Sequence, residues 1–319
     1  MYKIKQIPED FFVREEPIYS LEEEGEYCYF ILKKRNYNTI DAVSLIAQKM
    51  GIPLKRIGYA GTKDKAAVTE QIVSIKGIKA TDIGKINVPF KLEYVGRGAN
   101  PISLGDLKEN YFRIIVRNLP ISRINPGAIK NIPNYFGSQR FSEKNIEIGA
   151  ALLKRNFGKA VELIDDFKVK EYLELNPGDF IGAIRALPLK LRKLYIHAYQ
   201  SWVWNLTVEV YIKKAKPIKN EKIPLAGFGT ELKDDKISAI IKQILKKESI
   251  SLRDFIIKQF PEISSEGGIR DLFMTVKDFK IIKTEEDELN KGKFKAMVSF
   301  FLLPGSYATV LIDELFKKY

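Results

Sequence analysis

The sequence holds one cysteine, Cys28, and one histidine, His197. An intrachain disulfide is therefore excluded, and so is a structural zinc site of the usual four His and Cys ligands. A Ser-His-Asp or Cys-His mechanism would have to use His197, which sits in a helical stretch with no catalytic motif around it. It reads as a packing or hydrogen-bonding residue. Cys28, inside Tyr27-Cys28-Tyr29-Phe30-Ile31-Leu32, reads as a packed thiol on a strand. Long apolar runs are also missing. The run from Met297 to Leu303 stops at Pro304, well short of the roughly 18 residues that a membrane helix needs. Residues Met1 to Lys5 meet Pro8-Glu9-Asp10 before an apolar stretch can form, so no secretory signal is expected and the cytoplasm is the expected location. There is no internal repeat and no low-complexity tract.

Acidic residues are outnumbered: 53 Lys and Arg face 40 Asp and Glu, a net charge of +13. Such an excess points to a polyanionic partner, RNA or DNA. Hydrophobic residues make up 45%, enough for a real core over 319 residues and one large domain or two ordinary ones.

Periodicity divides the chain. Phe11, Val13 and Glu15 alternate with Phe12 and Arg14, the period of a strand. Tyr27–Leu32, Gln71–Ile75 and Tyr111–Val116 are further strand candidates, and the Gly- and Asn-rich stretch near Gly96 to Pro101 reads as a loop. Thr39 is placed to cap a helix with Val43, Ile46, Ala47 and Met50 on one face, ended by Gly51. The middle turns helical: Ile146–Lys154, Lys159–Ile164, and a longer helix over Leu194–Lys213. In that helix Ala198, Trp202, Leu206 and Val210 fall at i+4 steps on one face, with Tyr195, Tyr199 and Val203 beside them, the expected buried stripe. After Asp234-Asp235, the residues Ile237, Ile240, Ile241, Ile244 and Leu245 form an amphipathic helix. Strict alternation returns at Phe294, Ala296, Val298, Phe300 and Leu302, and Ala308–Phe316 closes as a helix. The expectation is an α+β fold with a mostly antiparallel sheet and a helix-rich insertion: 1–142 and 267–319 form one domain, and 143–266 the insertion.

The run with most chemical content is Gly58-Tyr59-Ala60-Gly61-Thr62-Lys63-Asp64-Lys65-Ala66-Ala67-Val68-Thr69-Glu70-Gln71. It sets one carboxylate between two ammonium groups, which favour its ionised form as a nucleophile or base. It is not a P-loop, because Gly61-Thr62-Lys63-Asp64 lacks the Gly-Lys-(Ser/Thr) ending. Four other segments accompany it in order: Lys5-Gln6-Ile7-Pro8-Glu9-Asp10-Phe11, Asn110-Tyr111-Phe112, Pro133-Asn134-Tyr135-Phe136-Gly137-Ser138-Gln139-Arg140-Phe141, and Leu303-Pro304-Gly305-Ser306-Tyr307-Ala308-Thr309. Together these resemble the motifs of the TruD-type tRNA pseudouridine synthases over nearly the whole chain.

The resemblance implies an isomerase that converts uridine to pseudouridine in tRNA, at position 13 of the D arm, with no ATP, redox cofactor or metal. It implies Asp64 as nucleophile, with attack on the base or on the sugar both open, and Lys5 as its basic partner. Asn110 and Phe112 share one face of an extended strand, an amide beside a ring, as edge recognition and stacking of a flipped base require. Phe11 and Tyr307 are further candidate walls. Arg140, Lys63 and Lys65 are candidate phosphate contacts. A monomer and an RNA-filled cleft between the two domains are expected. Four departures bear on target choice: Glu109 and Ser142 where glycine is common, Asp313 where a basic residue is common, and a Leu303–Thr309 segment one residue short. The rival reading is a non-catalytic RNA-binding or RNA-folding protein on the same fold, which has no need of the carboxylate.

Overall fold

The computed structural model describes residues 1–121, 129–142 and 144–316. In chain order its strands and α-helices are β1 (Phe11–Pro17), β2 (Tyr27–Arg35), α1 (Thr39–Met50), β3 (Ile57–Tyr59), β4 (Val68–Lys76), β5 (Lys91–Gly98) and β6 (Leu107–Leu119). There follow α2 (Asn145–Leu153), α3 (Phe157–Leu163), α4 (Phe167–Leu175), α5 (Phe180–Arg185), α6 (Leu189–Ala215), β7 (Lys222–Leu225), α7 (Lys236–Lys247) and β8 (Gly268–Asp271). The chain ends with β9 (Val276–Glu286), β10 (Phe294–Leu302) and α8 (Ala308–Phe316).

The chain divides into two compact units, Met1–Ile129 with Thr275–Tyr319, and Lys130–Met274. Both boundaries lie outside the stretch 143–266 expected from composition; residue 143 itself is not among those described. The cause is hydrogen bonding. The segment 133–141, which carries no helical period, belongs with the helices: Asn134 N–H donates to Leu272 C=O at 2.8 Å and Phe136 N–H to Asn205 Oδ1 at 2.9 Å. At the other end β8 pairs with β7 and stays in the same unit.

In the first unit the sheet runs β5-β2-β4-β1-β6-β10-β9, with β3 also paired to β4. Only the β1–β4 pairing is parallel among these strands, so the fold is α+β with a mostly antiparallel sheet. Helix α1 buries Ala42, Val43, Ile46 and Ala47 against Cys28, Phe30, Leu32, Val73 and Ile75 of the sheet. Its cap is Asn38, whose side chain accepts from Asp41 N–H, rather than Thr39. Gly51 ends it at φ 65°, in the left-handed region that favours glycine. One edge of β4 is shared: β1 lies along Val68–Glu70 and β3 along Val73–Ile75. The turn that carries Asp64 connects β3 to β4 beside that split.

In the second unit α6 is the axis. Tyr195, Tyr199 and Val203 pack with residues of α2, α3 and α5, while Trp204, Val208 and Tyr211 pack with Ile223, Ile240 and Leu272. The helix is thus buried on two sides, and the single stripe through Trp202, Leu206 and Val210 does not describe it; those three are only half-buried. Among the described residues no helix is long and apolar enough to cross a membrane.

Candidate active site

Register on β1 and β6 explains which side chains meet. Antiparallel pairing sets Phe11 opposite Ile114, Val13 opposite Phe112 and Glu15 opposite Asn110. Pairing of β10 with β6 then sets Phe300 beside Phe112 and Leu302 beside Asn110. Side chains directly across an antiparallel ladder share a face. That face therefore carries an apolar floor that turns polar at Glu15 and Asn110.

Asp64 is reached by Lys5, whose Nζ donates to Oδ2 at 2.5 Å. The lysine side chain is 21% exposed and the carboxylate 39%, so the pair is desolvated on one side yet open to a ligand. The same ammonium lies 4.1 Å from the centroid of the Phe11 ring, a cation–π contact. Lys5 itself has φ 57°, a left-handed conformation that costs a non-glycine residue of order 1 kcal/mol or more. It is held there on both sides. Lys3 pairs with Arg117 through N–H···O=C bonds of 2.9 and 2.8 Å, and Pro8–Asp10 forms a 3-10 turn closed by Asp10, which accepts from Ile7 N–H.

The turn before Asp64 is tied down at three atoms. Gln71 Nε2 donates to Gly61 C=O at 3.0 Å, Lys63 N–H donates to Thr39 Oγ1 at 2.9 Å, and Lys63 Nζ donates to Glu15. Thr39 Oγ1 in turn donates to Gln71 Oε1 at 2.7 Å. The Thr39 hydroxyl thus serves the turn instead of the helix cap. Glu15 is buried, and its Oε2 accepts from Ile72 N–H at 3.3 Å, in the part of β4 between the residues paired with β1 and those paired with β3. Burial pushes the Glu15 carboxyl up from its usual range, against the opposing pull of Lys63, Ile72 N–H and Lys34. Lys34, also buried, donates to Tyr37 C=O at 2.7 Å, and desolvation with repulsion from Lys63 brings its pKa down to about 8.

Phe11 and Phe112 are core-like. Phe11 meets Phe112 edge-on at 6.1 Å, Phe112 stacks on Phe300 at 5.4 Å, and Phe300 on Phe279 at 6.1 Å. Asn110 differs: its Oδ1 is buried and has no hydrogen-bond partner among the described residues. Tyr307 is half-buried at the start of α8, its C=O accepting from Val310 and Leu311. Lys65 is exposed and makes no ion pair among the described residues, whereas Lys63 turns inward with only 11% of its side chain exposed. The carboxylate of Glu15 attracts its ammonium away from the surface, a placement that does not favour the expected phosphate contact. Arg140 belongs to the second unit, where its guanidinium lies 5.8 Å from the Phe136 ring and its Nε donates weakly to Ser201 Oγ at 3.4 Å. His197 is half-buried on α6, and burial with repulsion from Arg140 lowers its pKa.

Glu15, Thr39 and Gln71 are the site residues to which the sequence reading gave no role here. A signal was present for Glu15: it occupies the inward phase of an alternating strand, where a carboxylate needs a buried partner.

The family model for tRNA pseudouridine synthase D (TruD) matches residues 2–168, 165–223 and 213–315. The tRNA pseudouridine synthase D of Aquifex aeolicus is 31% identical, the match covering 98% of each chain. A Methanosarcina mazei relative named "Probable tRNA pseudouridine synthase D" is 30% identical, over 99% of this chain and 93% of its own. A crystal structure from Methanosarcina mazei, described as that of the "Putative tRNA pseudouridine synthase D (TruD)", superposes with a TM-score of 0.74 at 28% identity, covering 99% of this chain and 93% of the other. The chain belongs to the tRNA pseudouridine synthase D (TruD) family.

Proposed function

We propose that the protein converts uridine to pseudouridine in tRNA, with Asp64 as nucleophile and uridine 13 of the D arm as target. The observation that carries this is the Lys5–Asp64 pair: a carboxylate held at 2.5 Å by the lysine ammonium yet 39% exposed, beside the face that bears Asn110. A surface ion pair would need no left-handed backbone at Lys5 and no triply anchored turn before Asp64. The reaction breaks the bond from the sugar to N1, turns the uracil and joins the sugar to C5; C5 loses a proton while N1 gains one, and the bond that Asp64 makes on the way is broken again before release. It is an isomerisation, so atoms and electrons balance without a co-reactant. Lys5 keeps the carboxylate aimed. The unpartnered Asn110 Oδ1 is an acceptor for an N–H on the uracil edge, and Phe11 and Phe112 form the packed floor beneath it. Tyr307 offers the wall and Lys65 a phosphate contact, and Arg140, on the second unit, is by itself a candidate for another phosphate.

The test is pseudouridine mapping, by carbodiimide labelling and primer extension, on unmodified tRNA incubated with the wild-type protein. A new stop at uridine 13 is the expected result. Salt-sensitive binding with no stop on any tRNA would return the protein to the RNA-binding class. Affinity should fall steeply with salt, because lysine and arginine contacts release counterions from the phosphates.

Asn110→Ala separates recognition from folding. Loss of one recognition hydrogen bond should lower kcat/KM roughly 10- to 100-fold. Its buried Oδ1 has no partner to lose, so the melting temperature should hold or rise. A drop in stability with unchanged kcat/KM would make Asn110 a structural residue.

A further inference from the structure

Glu15 has no place in the chemistry of uridine isomerisation, yet it is a fully buried carboxylate at the split edge of the sheet, facing the turn that carries Asp64. Its surroundings are defined from every side. Lys63 Nζ donates to Oε1 and Ile72 N–H to Oε2, Lys34 stands near enough to stabilise its charge, and Asn110 lies opposite on β6. A Cβ on Gly61 would lie 3.8 Å from Glu15 Oε1 and 3.7 Å from Lys63 Nζ, so the turn passes directly over the pair. Lys63 immediately precedes Asp64 in the chain. Two of the three anchors on the turn act at Lys63, one on its backbone through Thr39 and one on its side chain through Glu15.

We propose that Glu15 is a positioning residue for Asp64, acting through Lys63: its carboxylate draws the ammonium inward and fixes the turn from which Asp64 meets Lys5. The proposal rests on Asp64 as the nucleophile. Ångström-scale displacement of a reacting group can cost about 100-fold in rate, so the pair governs turnover rather than binding. It also assigns the two lysines of the motif different tasks. Lys63 is structural to the turn, and Lys65 alone faces outward.

The experiment compares wild type, Glu15→Gln, Lys63→Met, Lys63→Arg and the Glu15→Gln/Lys63→Met double variant. Single-turnover pseudouridine formation at saturating tRNA is measured beside tRNA affinity over a range of salt. Circular dichroism fixes a temperature at which all are folded. Glu15→Gln keeps the volume and an acceptor for Ile72 N–H, so it removes chiefly the charge. Expected are a 10- to 100-fold loss of single-turnover rate in Glu15→Gln and Lys63→Met, and a tRNA Kd within about twofold of wild type. Lys63→Arg should retain more rate than Lys63→Met. The double variant should be no slower than the slower single one, since both act through one contact. A salt slope unchanged in Lys63→Met supports the proposal. A slope reduced by about one, with the rate intact, would make Lys63 a phosphate contact and overturn it. Wild-type rates in Glu15→Gln would overturn it as well. Wild-type protein that forms no pseudouridine overturns the nucleophile reading itself, a different failure from an active wild type with an equally active Glu15→Gln.

Discussion

Asp64→Ala should abolish pseudouridine formation, by about 10⁴-fold or more, while tRNA affinity stays within a few-fold of wild type and the fold persists. The asymmetry follows from geometry. Asp64 lies on a turn, and its side chain is 39% exposed with one ionic partner, Lys5. Its removal opens no core cavity. The Lys5 ammonium left behind keeps water access and its contact with the Phe11 ring, so the stability cost is that of a partly exposed pair, about 1 kcal/mol or less. Loss of a negative charge in a protein of net charge +13 cannot weaken attraction to a polyanion. Turnover, by contrast, loses the proposed nucleophile, and removal of a nucleophile costs most of an enzyme's rate enhancement. Single-turnover assays with filter binding measure both quantities. Affinity and rate falling together would mean that Asp64 holds the RNA rather than attacks it.

Much of this site was legible because its parts are local in sequence. Asp64, Lys63 and Gln71 lie in one run, and Asn110 with Phe112 in another, so spacing alone brings each set together. Long-range register was not legible. That Glu15 faces Asn110 follows from the pairing of β1 with β6. That it meets Lys63 and Ile72 follows from β1 and β3 sharing one edge of β4. The Thr39 hydroxyl has a strong local use as a helix cap, and a tertiary use overrode it because Asn38 supplies the cap. Strand β9 escaped for the opposite reason. It is an edge strand whose side chains are mostly exposed or half-buried, Lys-Asp-Phe-Lys-Ile-Ile-Lys-Thr-Glu-Glu after Val276, so no alternation marks it. The long helix α6 shows that a stripe at i+4 steps presumes one packing partner, while packing on two sides buries residues around most of the circumference.

Arg117→Met is the substitution with the largest expected effect on stability. Arg117 is 1% exposed and on the inward side of the β6 end its Nε donates to Asp10 Oδ1 and its Nη1 to Asp287 Oδ1, both at 2.8 Å, with Glu288 at 3.1 Å from Nη1. The side chains of Asp10 and Asp287 are fully buried. A methionine fills much of the volume but leaves two carboxylates without their cation, and breaking a buried pair from one side costs about 3–5 kcal/mol. The melting temperature should fall by roughly 10 °C. Acid should narrow the gap between the two proteins. Burial opposes ionisation of Asp287, but Asn118 N–H, Asn290, Leu289 N–H and Arg117 outweigh it and hold its pKa below the usual carboxylate range. A lowered folded pKa gives stability that is present above the unfolded value, near 3.9, and lost as pH falls through the folded one. In the variant the Arg117 share of that lowering is absent, so the difference in melting temperature should be full at pH 6 and shrink below about pH 4. Activity should suffer too, even where the variant is folded. The Arg117 side chain holds Asp10, which closes the turn that follows Lys5; the backbone pair of Arg117 with Lys3 survives the substitution, so one of the two holds on the left-handed backbone of Lys5 is weakened. Turnover should therefore drop more than tRNA affinity. A variant that melts as wild type does would mean that the remaining donors satisfy both carboxylates: Ile7 N–H for Asp10, and Asn118 N–H, Leu289 N–H and Asn290 Nδ2 for Asp287.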